Sequence, residues 1–125
     1  MERQNSDIDG YENGAIKISD EVVATVSGLL ALEVPGVASM SGGITGGISD
    51  VLGRKSPTRG VKLTVGEREV SIDLSVIIEY GYRIPEVAWA VQEKVKKSLE
   101  NMTGLNVIEV NIHVQGINIQ KEHIK

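Results

Sequence analysis

Residues 70–80 alternate between apolar and polar side chains with a period of two, and this pattern constrains the fold more than any other feature of the chain. The apolar side chains on one side are Val70, Ile72, Leu74, Val76, Ile78 and Tyr80. The polar side chains on the other side are Ser71, Asp73, Ser75 and Glu79, with Ile77 as an apolar exception. Such a strand has one face covered by a core, and its other face meets water or a partner.

Two helices are predicted to cover that sheet. The first follows Ser19, whose hydroxyl suits an N-cap, and ends before Pro35-Gly36. The second begins near Pro85 and ends at Gly104. The predicted stripe of the first helix, with its apolar members facing the core, is Val22, Val26, Leu29, Leu30 and Glu33. The predicted core stripe of the second is Ala88, Val91, Val95, Leu99 and Met102.

Further strands are predicted over residues 15–18, 37–40, 61–65 and 105–114, and a change of apolar phase predicts a bulge at Gly116. The sequence therefore predicts a two-layer α+β fold. Its sheet is mixed and mainly antiparallel, and two helices pack on one face. The predicted order is β-α-β-(Gly-rich insert)-β-β-α-β.

The length of 125 residues suits one domain, predicted to cover residues 14–119. Residues 1–13 are predicted to be a disordered acidic tail, and 120–125 a frayed C-terminal tail. Because the chain has no cysteine and no long apolar window, we expect a cytoplasmic protein without direct membrane insertion. A net charge of −4 disfavours general nucleic-acid binding, which is driven by neutralising phosphates.

The glycine-rich insert at 41–60, SGGITGGISDVLGRKSPTRG, has two interpretations. With Arg54, Lys55 and Arg59 it would suit a phosphate, nucleotide or acyl group, which would make the protein a small-ligand sensor. The insert lacks a complete phosphate-loop or dinucleotide motif. Residues 43–46 match the GxxG of RNA-binding KH domains but carry no positive charge. The other interpretation is a flexible connector that docks on the domain or on another protein through Ile48, Val51 and Leu52.

Trp89 is the only tryptophan, and on the second helix it projects away from the predicted core stripe. An exposed tryptophan is typical of a surface that something covers. The cover is either the glycine-rich insert or a subunit or partner interface. The candidate partner or anion contacts are therefore Arg54, Lys55, Arg59 and Trp89.

His113 and Asp73 are predicted to pair on the polar face of the sheet. Ser71 and Ser75 flank Asp73, but a flat exposed face offers no oxyanion hole for a Ser–His–Asp mechanism. Neither histidine has a partner at metal-ligand spacing. The sequence therefore predicts no catalytic residue, no metal site and no cofactor.

Three segments carry a resemblance to a known family: GAIKISDEVVATVSGLLALEVPGVASM, VSIDLSVIIEYGYRIPEVAWAVQEKVKKSLENMTGL and VNIHVQGI. Together they resemble the alkaline-shock-protein family of Gram-positive bacteria, also called the envelope stress response or general stress family. The resemblance extends from Gly14 to about Ile119. The residues on the recurrent pattern of the family are Gly81, Pro85, Val91, Gln92, Gly104 and Gly116.

This resemblance implies a non-enzymatic scaffold or regulatory protein of cell-envelope homeostasis and stress response. Such a protein would act through protein contacts and self-association, so the expected partners are further copies of the chain and a membrane-anchored envelope protein. Through that partner the chain would lie at the inner face of the cell membrane. The family has no agreed catalytic residues to carry over.

Overall fold

A computed structural model of the chain describes residues 7–8, 15–41 and 58–119. Its strands are β1 (Asp7–Ile8), β2 (Ile16–Lys17), β3 (Val37–Met40), β4 (Val61–Val65), β5 (Glu69–Glu79) and β6 (Asn106–Asn118). Its helices are α1 (Asp20–Leu32) and α2 (Ile84–Thr103). Strands β3 to β6 form the main sheet, whereas β1 and β2 pair separately. The predicted α+β class, with two helices and a mainly antiparallel sheet, is confirmed.

The predicted tails and insert fall mostly outside the described residues. Within the segment 1–13, predicted to be disordered, Asp7–Ile8 pair antiparallel with Ile16–Lys17. The rest of that segment, residues 42–57 of the insert and residues 120–125 are not among the described residues, so their assignments stay predictions.

β5 is the central strand of the main sheet. β6 runs parallel to it and follows the whole of one edge, from Glu69 to Glu79. A strand has only two edges, so β3 and β4 share the other one, and both run antiparallel to β5. β4 pairs with residues 70–74 of β5, and β3 pairs with residues 76–78. The two short strands therefore lie one after the other along a single edge.

The glycine-rich insert begins and ends at one point of this edge. The Ser41 N–H donates to the Ser75 carbonyl oxygen at 2.8 Å, and the Ser75 N–H donates to the Gly60 carbonyl oxygen at 2.9 Å. Gly60 has a φ of 79°, and a Cβ there would lie only 2.4 Å from the Ser41 carbonyl oxygen. The ends of the insert are thus in contact, and β3 and β4 act as one edge strand with the insert between them.

The core lies between the helices and one face of the sheet. Alternate side chains of β5 are fully buried, as predicted from their period: Val70, Ile72, Leu74, Val76 and Ile78. Tyr80 was included in that predicted set and is exposed, because β5 ends at Glu79 and the chain turns at Gly81. With no phenylalanine in the chain, branched aliphatic side chains fill this layer.

The predicted core face of α1 is wrong in part: Val26 and Leu30 are partly buried and pack against the core, but Val22 and Leu29 do not. Val22 and Leu29 are 48% and 55% exposed, and the buried side of the helix consists of Val23, Ala24, Ser27, Gly28 and Ala31. Small side chains let a helix pack closely on its neighbours, so this side faces the core. The Ser27 hydroxyl is satisfied there by the Val23 carbonyl at 2.8 Å. α1 therefore turns Val22, Leu29 and Leu32 outward.

The core face of α2 matches its prediction at the centre and departs from it at both ends. Val91, Val95 and Leu99 are fully buried. Ala88 is only partly buried and Met102 is 62% exposed, and Val87 and Thr103 take the core positions instead. The buried set keeps a strict four-residue spacing, 87–91–95–99–103. The Thr103 hydroxyl tolerates burial because it donates to the Leu99 carbonyl oxygen at 2.8 Å.

β6 contains two bulges relative to β5. The register shifts between Val107 and Glu109, and again between Val114 and Gly116. The second shift confirms the bulge predicted at Gly116. The first places Ile108 outside the regular alternation, which explains why this isoleucine is half exposed.

Candidate functional site

Of the four predicted contact residues, the structure describes two, Trp89 and Arg59. Trp89 is 62% exposed and lies on the outer side of α2. Arg59 is partly buried beside Gly60, where the insert rejoins the sheet. Arg54 and Lys55 lie outside the described residues, so the ligand-binding hypothesis for the insert stays a prediction.

Trp89 begins a stripe of side chains along α2, and the other members of this stripe bind the outer edge of β6. Gln92, Lys96 and Glu100 follow it at helical spacing on the same side of the helix. The Gln92 Nε2 donates to the Val110 carbonyl oxygen at 2.9 Å. Lys96 Nζ donates to the Val107 carbonyl oxygen at 2.8 Å. These side chains take the place of a neighbouring strand along the first half of β6.

Glu100 completes this set of side chains, which together cap the edge of β6. Its carboxylate accepts the Val107 N–H at 2.9 Å and also accepts from Lys96 Nζ at 3.1 Å. Partial burial of the Glu100 carboxylate acts to raise its pKa, but these two hydrogen bonds and the charge of Lys96 outweigh it. The pKa of Glu100 is therefore lowered, and the carboxylate stays ionised at neutral pH. The sequence did not predict this role, because polar residues at this spacing also fit a solvated helix face.

These capping contacts end at Gln92, since no hydrogen bond joins the Trp89 indole N–H to β6 in the described part of the chain. Val114 and Ile117, in the second half of β6, are 37% and 42% exposed, although the strand alternation directs them to the helix side of the sheet. Among residues 15–41 and 58–119, β6 pairs with β5 alone. We call the outer edge of residues 112–118 the open β6 edge. Together with Trp89 it forms the candidate functional site.

The outward side of α1 is a second apolar surface. It presents Val22, Leu29 and Leu32 as exposed side chains. A helix that is apolar on both its inner and outer sides is typical of one packed between two layers. This side of α1 therefore also suits a protein contact.

The predicted pair on the polar face of the sheet is confirmed. The His113 Nε2 lies 3.1 Å from Asp73 Oδ1, since the two residues occupy paired neighbouring strands. Lys62, Ser75 and Gln115 line the same open hollow. Asp73 has a lowered pKa, chiefly because the hydrogen bond from His113 stabilises its carboxylate. In the described ranges, no group of three or more His, Asp or Glu side chains is placed to hold a metal ion.

We expect Asp73→Asn to destabilise the protein at neutral pH and to have little effect in acid. A carboxyl with a lowered folded-state pKa stabilises the fold above its unfolded value, here 3.8, and that contribution is lost as the pH falls through the folded value. Urea unfolding of both proteins at about pH 7 and about pH 2.5 measures this. Equal differences in stability at the two pH values would contradict the assignment.

Fold and surface together define a small two-layer α+β protein with an exposed tryptophan on the helix that covers part of one sheet edge. The model of the alkaline shock protein 23 family, described as having a cell envelope-related function, matches residues 9–119. This chain belongs to that family. Within the described part of the chain, no helix has the length and apolar character required to cross a membrane.

Relatives of the chain occur in Gram-positive bacteria. Two Bacillus subtilis proteins, YqhY and YloU, are each 38% identical to it, over 104 and 108 residues, and both are described as uncharacterized. These matches cover 83% and 85% of this chain, and 77% and 90% of the relatives. A stress response regulator gls24 homolog of Streptococcus pyogenes is 28% identical over 123 residues, which is 98% of this chain and 69% of the relative. No solved structure matched the chain.

Proposed function

We propose that this protein is a non-enzymatic scaffold or regulator in the bacterial envelope stress response, which acts through protein contacts and self-association. The observation that carries the proposal is Trp89, which is 62% exposed on α2 and shares its side of the helix with Gln92 and Lys96, the side chains that bind the edge of β6. Tryptophan is enriched at the centres of protein interfaces and depleted on surfaces that remain in water.

The envelope-related description of the family and the stress-regulator name of the streptococcal relative support the setting of this function. Neither description names an enzyme. The outward side of α1 supports contact with more than one molecule, because it is separate from the Trp89 surface and also apolar. A chain with two such surfaces is suited to joining copies of itself to an envelope protein.

The proposed partner is a membrane-anchored envelope protein that holds the chain at the inner face of the membrane. Trp89→Ala should weaken that contact by about 2 kcal/mol or more, roughly a thirtyfold loss of affinity, if Trp89 is a central anchor of the interface. The measurement is affinity capture with the tagged full chain from a solubilised membrane fraction, followed by identification and quantification of the captured proteins.

Met102→Ala is the matched control, since Met102 is on the same helix and is likewise 62% exposed, but lies on a different side. It should leave capture unchanged. Equal capture of the same membrane protein by wild type, Trp89→Ala and Met102→Ala would contradict a role for Trp89.

A further inference from the structure

We infer that a second copy of this chain pairs its own β6 with the open β6 edge, antiparallel, so that two main sheets join into one. This inference rests on the proposed function, because it names the surface through which the chain associates with itself. The open edge consists of backbone hydrogen-bonding groups, so the occupant must be an extended strand.

The backbone of β6 is divided between a capped half and an open half. The outward groups of Val107 and Val110 bind Glu100, Lys96 and Gln92. Successive residues of a strand point their backbone groups to opposite edges, so Ile112 and Val114 face the same way as Val110. No hydrogen bond to their outward groups is formed by the described parts of the chain.

The last part of β6 follows the same rule after the bulge. The Asn118 carbonyl accepts the Tyr80 N–H at 3.0 Å and therefore faces the side of β5. Its neighbour Ile117 then faces the open edge. The outward groups of Ile112, Val114 and Ile117 form the row that a second strand would satisfy.

The two edges of the main sheet differ in their protection. Natural sheets protect edges with short strands, lysine and proline. The β3–β4 edge is made of two short strands, is interrupted by the insert and carries Lys62. Residues 110–118 of β6, VNIHVQGIN, contain no lysine, no proline and no Asp, Glu or Arg. A bulge, which also protects edges, lies between Val114 and Gly116, but residues 112–114 before it have none of these protective features and are left available for pairing.

Charge also favours a second copy at this edge. Two chains that each carry a net charge of −4 repel each other over most of their surfaces. In residues 110–118 only His113 is ionisable, so two β6 strands meet here without a pair of opposed acidic side chains. Antiparallel pairing of identical edges is also self-complementary about a twofold axis, which gives a closed dimer.

The same pairing would account for the exposed apolar side chains around the edge. Val114 and Ile117 lie on the helix side of β6 where α2 has stopped capping the strand. A second β6 would bring its own Val114 and Ile117 against these two side chains, so a single contact would satisfy the backbone and cover the apolar side chains of the strand.

Val114→Lys tests this inference, with Ile108→Lys as its matched control. Both replace an exposed aliphatic residue of β6 with lysine, but Ile108 lies at the bulge in the capped half. Sedimentation equilibrium of the full chain should show dimers for wild type and Ile108→Lys. The dimer dissociation constant of Val114→Lys should be at least about tenfold higher, and circular dichroism should show that all three proteins are folded.

Hydrogen exchange supplies a second measurement that needs no variant. The amide protons of Ile112, Val114 and Ile117 in wild type should become protected as the protein concentration is raised through the dimer range. A dimer without this protection, or one equally stable in Val114→Lys and wild type, would overturn the edge pairing and leave the proposed scaffold function standing. A wild-type chain that stays monomeric would overturn the pairing and the self-association, whereas Trp89-dependent capture tests the envelope contact separately.

Discussion

Leu99→Ala is expected to lower the free energy of unfolding by about 2–5 kcal/mol, whereas Leu29→Ala should change it by less than about 0.5 kcal/mol. Leu99 is fully buried between α2 and the sheet, and its truncation would leave a cavity in the core. Leu29 is 55% exposed on the outward side of α1, where water replaces the lost methyl groups. Urea unfolding of the two variants and wild type compares the same substitution in two helices.

This comparison also tests the orientation of α1. If Leu29 faced the core, as the predicted stripe places it, Leu29→Ala would be as costly as Leu99→Ala. Equal losses would therefore contradict the observed placement of Val23, Ser27 and Ala31 on the core side.

Gly60→Ala is expected to destabilise the protein more than Gly104→Ala, although both glycines have a φ of 79°. The left-handed backbone costs alanine about 1–2 kcal/mol at either position. At Gly104 a Cβ would meet nothing within 4 Å, but at Gly60 it would lie 2.4 Å from the Ser41 carbonyl oxygen and 2.9 Å from that of Ser75. The added methyl group must push apart the backbones that close the insert.

Thermal unfolding of both variants measures the difference. Gly104→Ala should lose only the stability that its left-handed backbone conformation costs. Gly60→Ala should lose at least about 1 kcal/mol more, since a clash with backbone atoms is relieved only by moving the strands. Equal losses in the two variants would contradict the contact between the ends of the insert.

The core faces of β5 and of the centre of α2 were predictable from the sequence. In β5 and at the centre of α2, apolar and polar residues alternate with one clear period, so each strand or helix has a single possible core face. The sequence of α1 does not define a single core face, because the helix is apolar on both sides. The selection of its small-residue side depends on how closely it packs against the sheet and α2, and periodicity carries no information about that distance.

The candidate site was only partly predictable for a similar reason. Trp89 was identified because it is the only tryptophan and projects away from the predicted core stripe of α2. Its neighbours Gln92, Lys96 and Glu100 fit an ordinary solvated helix face, and only the position of β6 gives them a role as edge caps. The sharing of one β5 edge by β3 and β4 is a pairing between distant segments, which local patterns do not specify.

The capped and open halves of β6 differ in whether another strand can pair with them. Where α2 supplies hydrogen bonds, the edge is closed to other chains. Where the stripe changes from polar residues to Trp89, the edge is open and apolar. Under the proposed pairing of two copies, this arrangement would limit strand pairing to a short region, which favours a defined contact over unlimited edge-to-edge association.

Complementation of cells that lack this protein tests the central claim that it works by presenting the Trp89 surface to other proteins. Such cells would receive wild type, Trp89→Ala or Met102→Ala at matched levels, and their survival of alkaline or cell-envelope stress would be measured. We predict that wild type and Met102→Ala restore survival and Trp89→Ala does not. Full restoration by Trp89→Ala would contradict the account.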